Sequence, residues 1–165
     1  MLARTSIGYS ARQIGLHWLV FVLVAYQWFT GDNMTDLFRA GHGGRPTDLA
    51  PAWGTAHLAV GVLVLMIMLW RLGLRHSEGA PPPAKQHPAL QGLASAVHVA
   101  LYLDLILGAM VGLAAYFLLP QLAGLHHLMM RPILLALLAL HIVGALWHRF
   151  VVRDDVVTRM IRPAR

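Results

Sequence analysis

The residues best suited to chemistry in this chain are its ten histidines, four of which, His126, His127, His141 and His148, fall in the last long apolar run. An imidazole can carry a proton near neutral pH or give a lone pair to a metal. At bilayer depth such a group is costly, and by default it marks a functional site facing the interior of a helix bundle. On an α-helix the fourteen residues from His127 to His141 turn through about 1400°, some 40° short of four turns, so both rings leave on nearly the same face roughly 21 Å apart. His126 lies about 60° past four turns from His141, on the other side of that face.

The elements that position these rings must be membrane helices. The chain has 165 residues, of which 58% are hydrophobic and only 12% charged, against about a quarter charged in a soluble domain. Four apolar runs each reach the ~17 residues that a spanning helix needs. The pattern predicts an all-α membrane protein, a four-transmembrane-helix bundle forming a single domain over 1–165. The helices are expected over roughly 10–30, 53–72, 93–119 and 126–152, with a short amphipathic surface helix over 154–162.

With an even number of spans both termini share a side. That side holds Arg4, Arg12, Arg71, Arg75, Lys85, Arg149, Arg153, Arg159, Arg162 and Arg165, against Arg39, Arg45 and Arg131 on the other. The bias predicts cytoplasmic termini. It also accounts for the net charge of +6 through contact with anionic lipid, which leaves no need for nucleic acid as a partner. There is no cysteine, which excludes disulfides, thiolate-held clusters and a covalently attached c-type haem. No cleavable signal pattern opens the chain, so the first helix is expected to be retained.

Along the chain, Ser10 to Gln13 has the form of a capping box at the start of the first helix. Gly31 to Ala52 reads as an external loop. His57 lies one turn inside the second helix, with Gly61 one turn deeper, where a flat group could approach the backbone. Pro81, Pro82 and Pro83 stiffen the following linker. Gly108 and Gly112 form a small-residue pair for close helix packing, and Pro120 is expected to close the third helix.

Depth sorts the histidines into two sites. His57, His126 and His127 begin helices entered from outside, whereas His17 and His98 begin helices entered from inside, where His141 and His148 end theirs. Opposed imidazoles at two levels are the arrangement for two six-coordinate haem b groups held by axial histidines and apolar packing. His141 is preferred over His148 because it places the sites about 21 Å apart instead of about 31 Å, and His127 over His126 on the face count. His98 is read as a hydrogen-bonding neighbour, and His42, His76 and His87 as interfacial. Arg71 and Arg131 are candidates for neutralising haem propionates at the inner and outer site. Asp104, an acid well inside a span, is suited to orienting an axial histidine or handling protons.

Tyr9-Ser10 with Ile14-Gly15-Leu16-His17-Trp18-Leu19 resembles the prokaryotic cytochrome b561 family. So do His57 followed by Arg71 and Arg75, the run Leu140 to His148, and the tail Arg153 to Met160. The resemblance covers all four helices. It implies two non-covalent b haems, with iron ligated by His17 and His141 at the inner site and by His57 and His127 at the outer. It further implies a bacterial inner-membrane location and electron exchange with the ubiquinone pool, and for some members oxidation of superoxide. The link between the third and fourth helices is shorter than the family's, and His126 and Leu128 flank His127 where a Trp-His-Glu run is usual. The periplasmic donor or acceptor is left unnamed, and a homodimer is left open. Two other readings stand beside electron transfer: a haem-bearing anchor subunit of a hydrogenase or dehydrogenase complex, and a haem-free metal-ion transporter.

Overall fold

The computed structural model describes residues 8–41, 50–84 and 86–163. Arg4, His42, Arg45, Lys85 and Arg165 lie outside them. Four long helical stretches make up the fold: α1 (Ala11–Gly41), α2 (Ala50–Ser77), α3 (Pro88–Phe117) and α4 (Pro120–Val152). Each is long and apolar enough to cross a membrane. They enclose a thin apolar core of Leu16, Val20, Val24, Val64, Ile67, Met68, Leu74, Leu105 and Leu134. Large apolar side chains face outward, as with Phe29 at 83% exposure, because lipid solvates them as well as a core does.

The capping box forms as the sequence predicts. Ser10 N–H donates to Gln13 Oε1 at 3.0 Å, and Gln13 N–H donates to Ser10 Oγ at 3.2 Å. Gln13 Nε2 also donates to Gly79 O at 3.0 Å, tying the start of α1 to the end of α2. There Gly79 takes the left-handed conformation, φ 79°, that glycine adopts without strain.

The expected loop from Gly31 to Ala52 is corrected. Helix α1 continues through Gly41, and α2 already begins at Ala50. The extension is held by packing: Leu37 lies against Gly54 at 2.6 Å from where a β-carbon would stand, and Thr35 Oγ1 donates to Gly31 O at 3.1 Å. Helix α3 starts earlier than 93, with His87 Nδ1 accepting from Ala89 N–H and Pro88 in the first turn. Pro120 opens α4 instead of closing α3.

Helix α4 is not an unbroken α-helix. Pro132 has no N–H to give, and around it Met129–Ile133 form a π-helical turn in which Leu134 N–H reaches Met129 O, five residues back. Trp28 of α1 donates its indole N–H to Met130 O at 3.2 Å. A second π turn, His148–Val152, ends the helix, and Arg153 reverses the chain at φ 57°. The tail beyond it is not the expected amphipathic α-helix. It consists of bends and one 3₁₀ turn, Thr158–Met160. Asp155 and Arg159, spaced i, i+4, pair at 2.8 Å, and the Arg159 hydrogen bond holds the Asp155 carboxyl below the usual carboxylate range.

Candidate functional site

Backbone packing runs from α1 to α2, α2 to α3 and α3 to α4. Helices α1 and α4 meet chiefly through side chains, and imidazoles face one another between them.

At the end that carries both termini, every helix contributes a polar group. The His17 ring of α1 and the His141 ring of α4 have centroids 6.1 Å apart. His98 of α3 lies closer to His141, at 5.1 Å. Arg71 of α2 reaches across, with Nη1 donating to Gln13 O at 3.3 Å and Nη2 lying 3.4 Å from His17 Nδ1. Its guanidinium sits 5.9 Å from the centre of the Tyr102 ring. A guanidinium only donates, so His17 Nδ1 accepts and the neutral ring carries its proton on Nε2.

These positions can be tested against a haem. Metal–imidazole bonds of about 2 Å and ring half-widths of about 1 Å put two trans imidazoles roughly 6 Å apart, centre to centre. The His17–His141 separation is compatible with that spacing, and the two rings come from different helices. Ligation through His17 Nε2 also requires the proton to sit on Nδ1 and Arg71 to turn away, and a propionate would give the guanidinium a new partner. At the rim, His148 is buried and bonded through Nδ1 to Asp154 Oδ2 at 2.7 Å, so it is a structural pair with the tail.

At the opposite end lies a cavity of about 420 Å³ whose wall includes His57, His126, His127, Arg131 and Gly61. Thr30 Oγ1 donates to Tyr26 O at 3.0 Å and lies 3.3 Å from His57 Nδ1. With its proton on Nδ1, His57 would donate to that hydroxyl and offer Nε2 to a metal. Arg131 pairs with Asp32 of α1 and lies 3.7 Å from the β-carbon position of Gly31. Gly61 faces Gln27, whose Nε2 is 3.1 Å from its β-carbon position.

His126 packs against α3. Its Nδ1–H donates to Gly108 O at 2.9 Å, and its ring lies 2.8 Å from the β-carbon position of Gly112. The glycine pair lies where α4 packs against α3, and side chains of α4 fill the space that the glycines leave. Gly108 makes room for the Met130 side chain, and Gly112 for this imidazole. The π turn between His127 and His141 adds one residue to its turn and takes about 100° off the count. It is then His126 that shares a face with His141, and both rings lie against α3. His127, 6.1 Å from His126 ring to ring, points to the side, on the cavity wall. Carried through the π turn, the face count favours His126, the reverse of the sequence expectation.

Asp104 is 6% exposed, and its Oδ2 has no hydrogen-bond partner. Of the roles open to it, orientation of an axial histidine is not made through this oxygen among the described residues. Among the described residues, no three His, Asp or Glu side chains converge to hold a bare metal ion.

Among the described residues the chain is an all-helical bundle with four membrane-length helices and imidazoles facing one another between them. The chain belongs to the prokaryotic cytochrome b561 family, whose model matches residues 8–163. It is 31% identical to cytochrome b562 of Cereibacter sphaeroides over 161 residues, covering 94% of this chain and 96% of that one. It is 27% identical to the probable superoxide oxidase CybB of Yersinia pestis over 179 residues, covering 95% and 97%. Haem b, a multi-pass bacterial membrane setting and electron transfer within it follow from that membership.

Proposed function

We propose that this protein passes electrons through two b haems across the bacterial inner membrane, exchanging them with the ubiquinone pool. His17 and His141 would hold the inner iron, and His57 and His127 the outer. Arg71 and Arg131 would neutralise propionates, and both termini would face the cytoplasm. The haems supply one-electron redox chemistry. The protein supplies axial ligation, a low dielectric and fixed charge, which set the potentials. The observation that carries the reading is the His17–His141 pair, two imidazoles from different helices brought within 6.1 Å of one another with a cation beside them.

His127 is preferred over His126 because the family's axial pattern falls on His127; the Nδ1–H bond of His126 to Gly108 O engages only that nitrogen, so His126 is the competing ligand that the variants must separate. A superoxide donor at the outer face is suggested by the name of the Yersinia pestis relative. Its oxidation to dioxygen releases one electron, and two such electrons with two protons convert a quinone to a quinol.

The test is haem content and spectrum. The purified protein is expected to hold two b haems per chain, and His141→Ala to lose the inner one while keeping the outer. Two haems retained in that variant would place the inner ligand elsewhere.

A further inference from the structure

The segment after α4 does more than end the chain. Arg153 turns it back at φ 57°, and Asp154 N–H bonds to His148 O at 3.3 Å. The Asp154 carboxylate then holds buried His148 on one oxygen and Val156 N–H on the other, at 2.7 and 3.1 Å. Five residues on, Arg159 donates to Pro82 O at 3.0 Å, fastening the segment to the linker between α2 and α3. Its last anchor is on α1, where the Trp18 indole N–H donates to Met160 O at 2.8 Å.

Trp18 is in turn held edge-on between two rings. Its centroid lies 5.9 Å from Phe21 and 5.4 Å from His17, with interplanar angles of 80° in both pairs. A route of contacts thus leads from the C-terminal segment through one indole to the imidazole of the inner site. An axial histidine is oriented by the groups around its ring, and such partners tune ligand strength and potential. On the other edge of His17 stands Arg71.

We propose that Trp18, fixed by the Met160 carbonyl, is a positioning residue for the His17 imidazole, so that the C-terminal segment tunes the inner haem alone. This rests on His17 being an axial ligand. A tail that only shielded the bundle end would have no such selective effect.

The experiment is a redox titration, with low-spin electron paramagnetic resonance, of the full-length haem-loaded protein and three variants. Trp18→Phe keeps a ring beside His17 and removes the N–H. Asp154→Ala releases the segment at its first anchor without touching Trp18. His17→Ala tests the ligand itself.

In the first two variants the inner haem is expected to show an altered low-spin signal and a tenfold change in its oxidation equilibrium, about 59 mV for one electron. The outer haem should stay unchanged and reports that the protein has folded. If His17→Ala removes one haem while Trp18→Phe and Asp154→Ala leave the signal and potential of that haem unmoved, the positioning role is wrong and the ligand assignment stands. Equal shifts in both haems would also overturn it, since they would mark general loosening. Two haems retained in His17→Ala would overturn the ligand assignment and this inference together.

Discussion

At the scale of single residues, the outer site turns on two adjacent imidazoles with different surroundings. His126 gives its Nδ1 proton to Gly108 O and fills the space beside Gly112, so its removal costs a hydrogen bond and leaves a void. Losing one partner of a buried hydrogen bond costs about 1–3 kcal/mol. His126→Ala is therefore expected to lower the thermal midpoint while both haems remain bound. His127→Ala should remove the outer haem. Quantifying haem per chain in the two variants separates them, and the opposite pattern would assign the iron to His126. Gly112→Val belongs to the same set. A β-carbon there would lie 2.8 Å from the His126 ring, and overpacking of this kind costs about 1–3 kcal/mol. A lowered melting temperature that His126→Ala partly relieves is the expected result. Simple additivity of the two changes would show that the ring and the glycine are not in contact.

At the scale of elements, much of the bundle was legible because apolar run length and caps are local signals. Ser10 and Gln13 announced the start of α1, and the four spans followed from hydropathy. The errors have identifiable physical causes. Gly31, Asp32 and Asn33 look like a loop, yet Leu37 packs on Gly54 and α1 runs eleven residues further, to Gly41. Pro132 inside an otherwise α-helical pattern gave no hint that the chain would absorb it as a π turn. That turn rotates everything before it, which is why His127 and His126 exchanged faces. The tail shows the same limit. Its Asp155–Arg159 pair was readable from i, i+4 spacing, but the His148–Asp154 bond and the Trp18 anchor depend on a left-handed reversal at Arg153 that the sequence does not advertise. Depth along a helix could be read from the sequence, whereas azimuth could not once the helix departed from 3.6 residues per turn.

At the scale of the whole molecule, direction matters as much as site geometry, because an electron carrier with unlike ends works only in one orientation. The end with the His17–His141 pair also gathers Arg12, Arg71, Arg75, Arg149, Arg153, Arg159 and Arg162. At the other end the described cations are Arg39 and Arg131, each paired with an aspartate. Translocation of flanking cations is disfavoured, so the basic end should stay in the cytoplasm. The absence of cysteine from the whole sequence makes the test clean, since an introduced thiol has no background. Pro83 lies exposed in the linker at the basic end, and Leu118 is 73% exposed at the opposite end. In intact cells a membrane-impermeant thiol reagent is expected to label Leu118→Cys and to spare Pro83→Cys until the membrane is opened. Labelling of Pro83→Cys from outside would invert the protein. The His57 cavity would then face the cytoplasm, and a periplasmic donor would have to reach the His17–His141 pair instead.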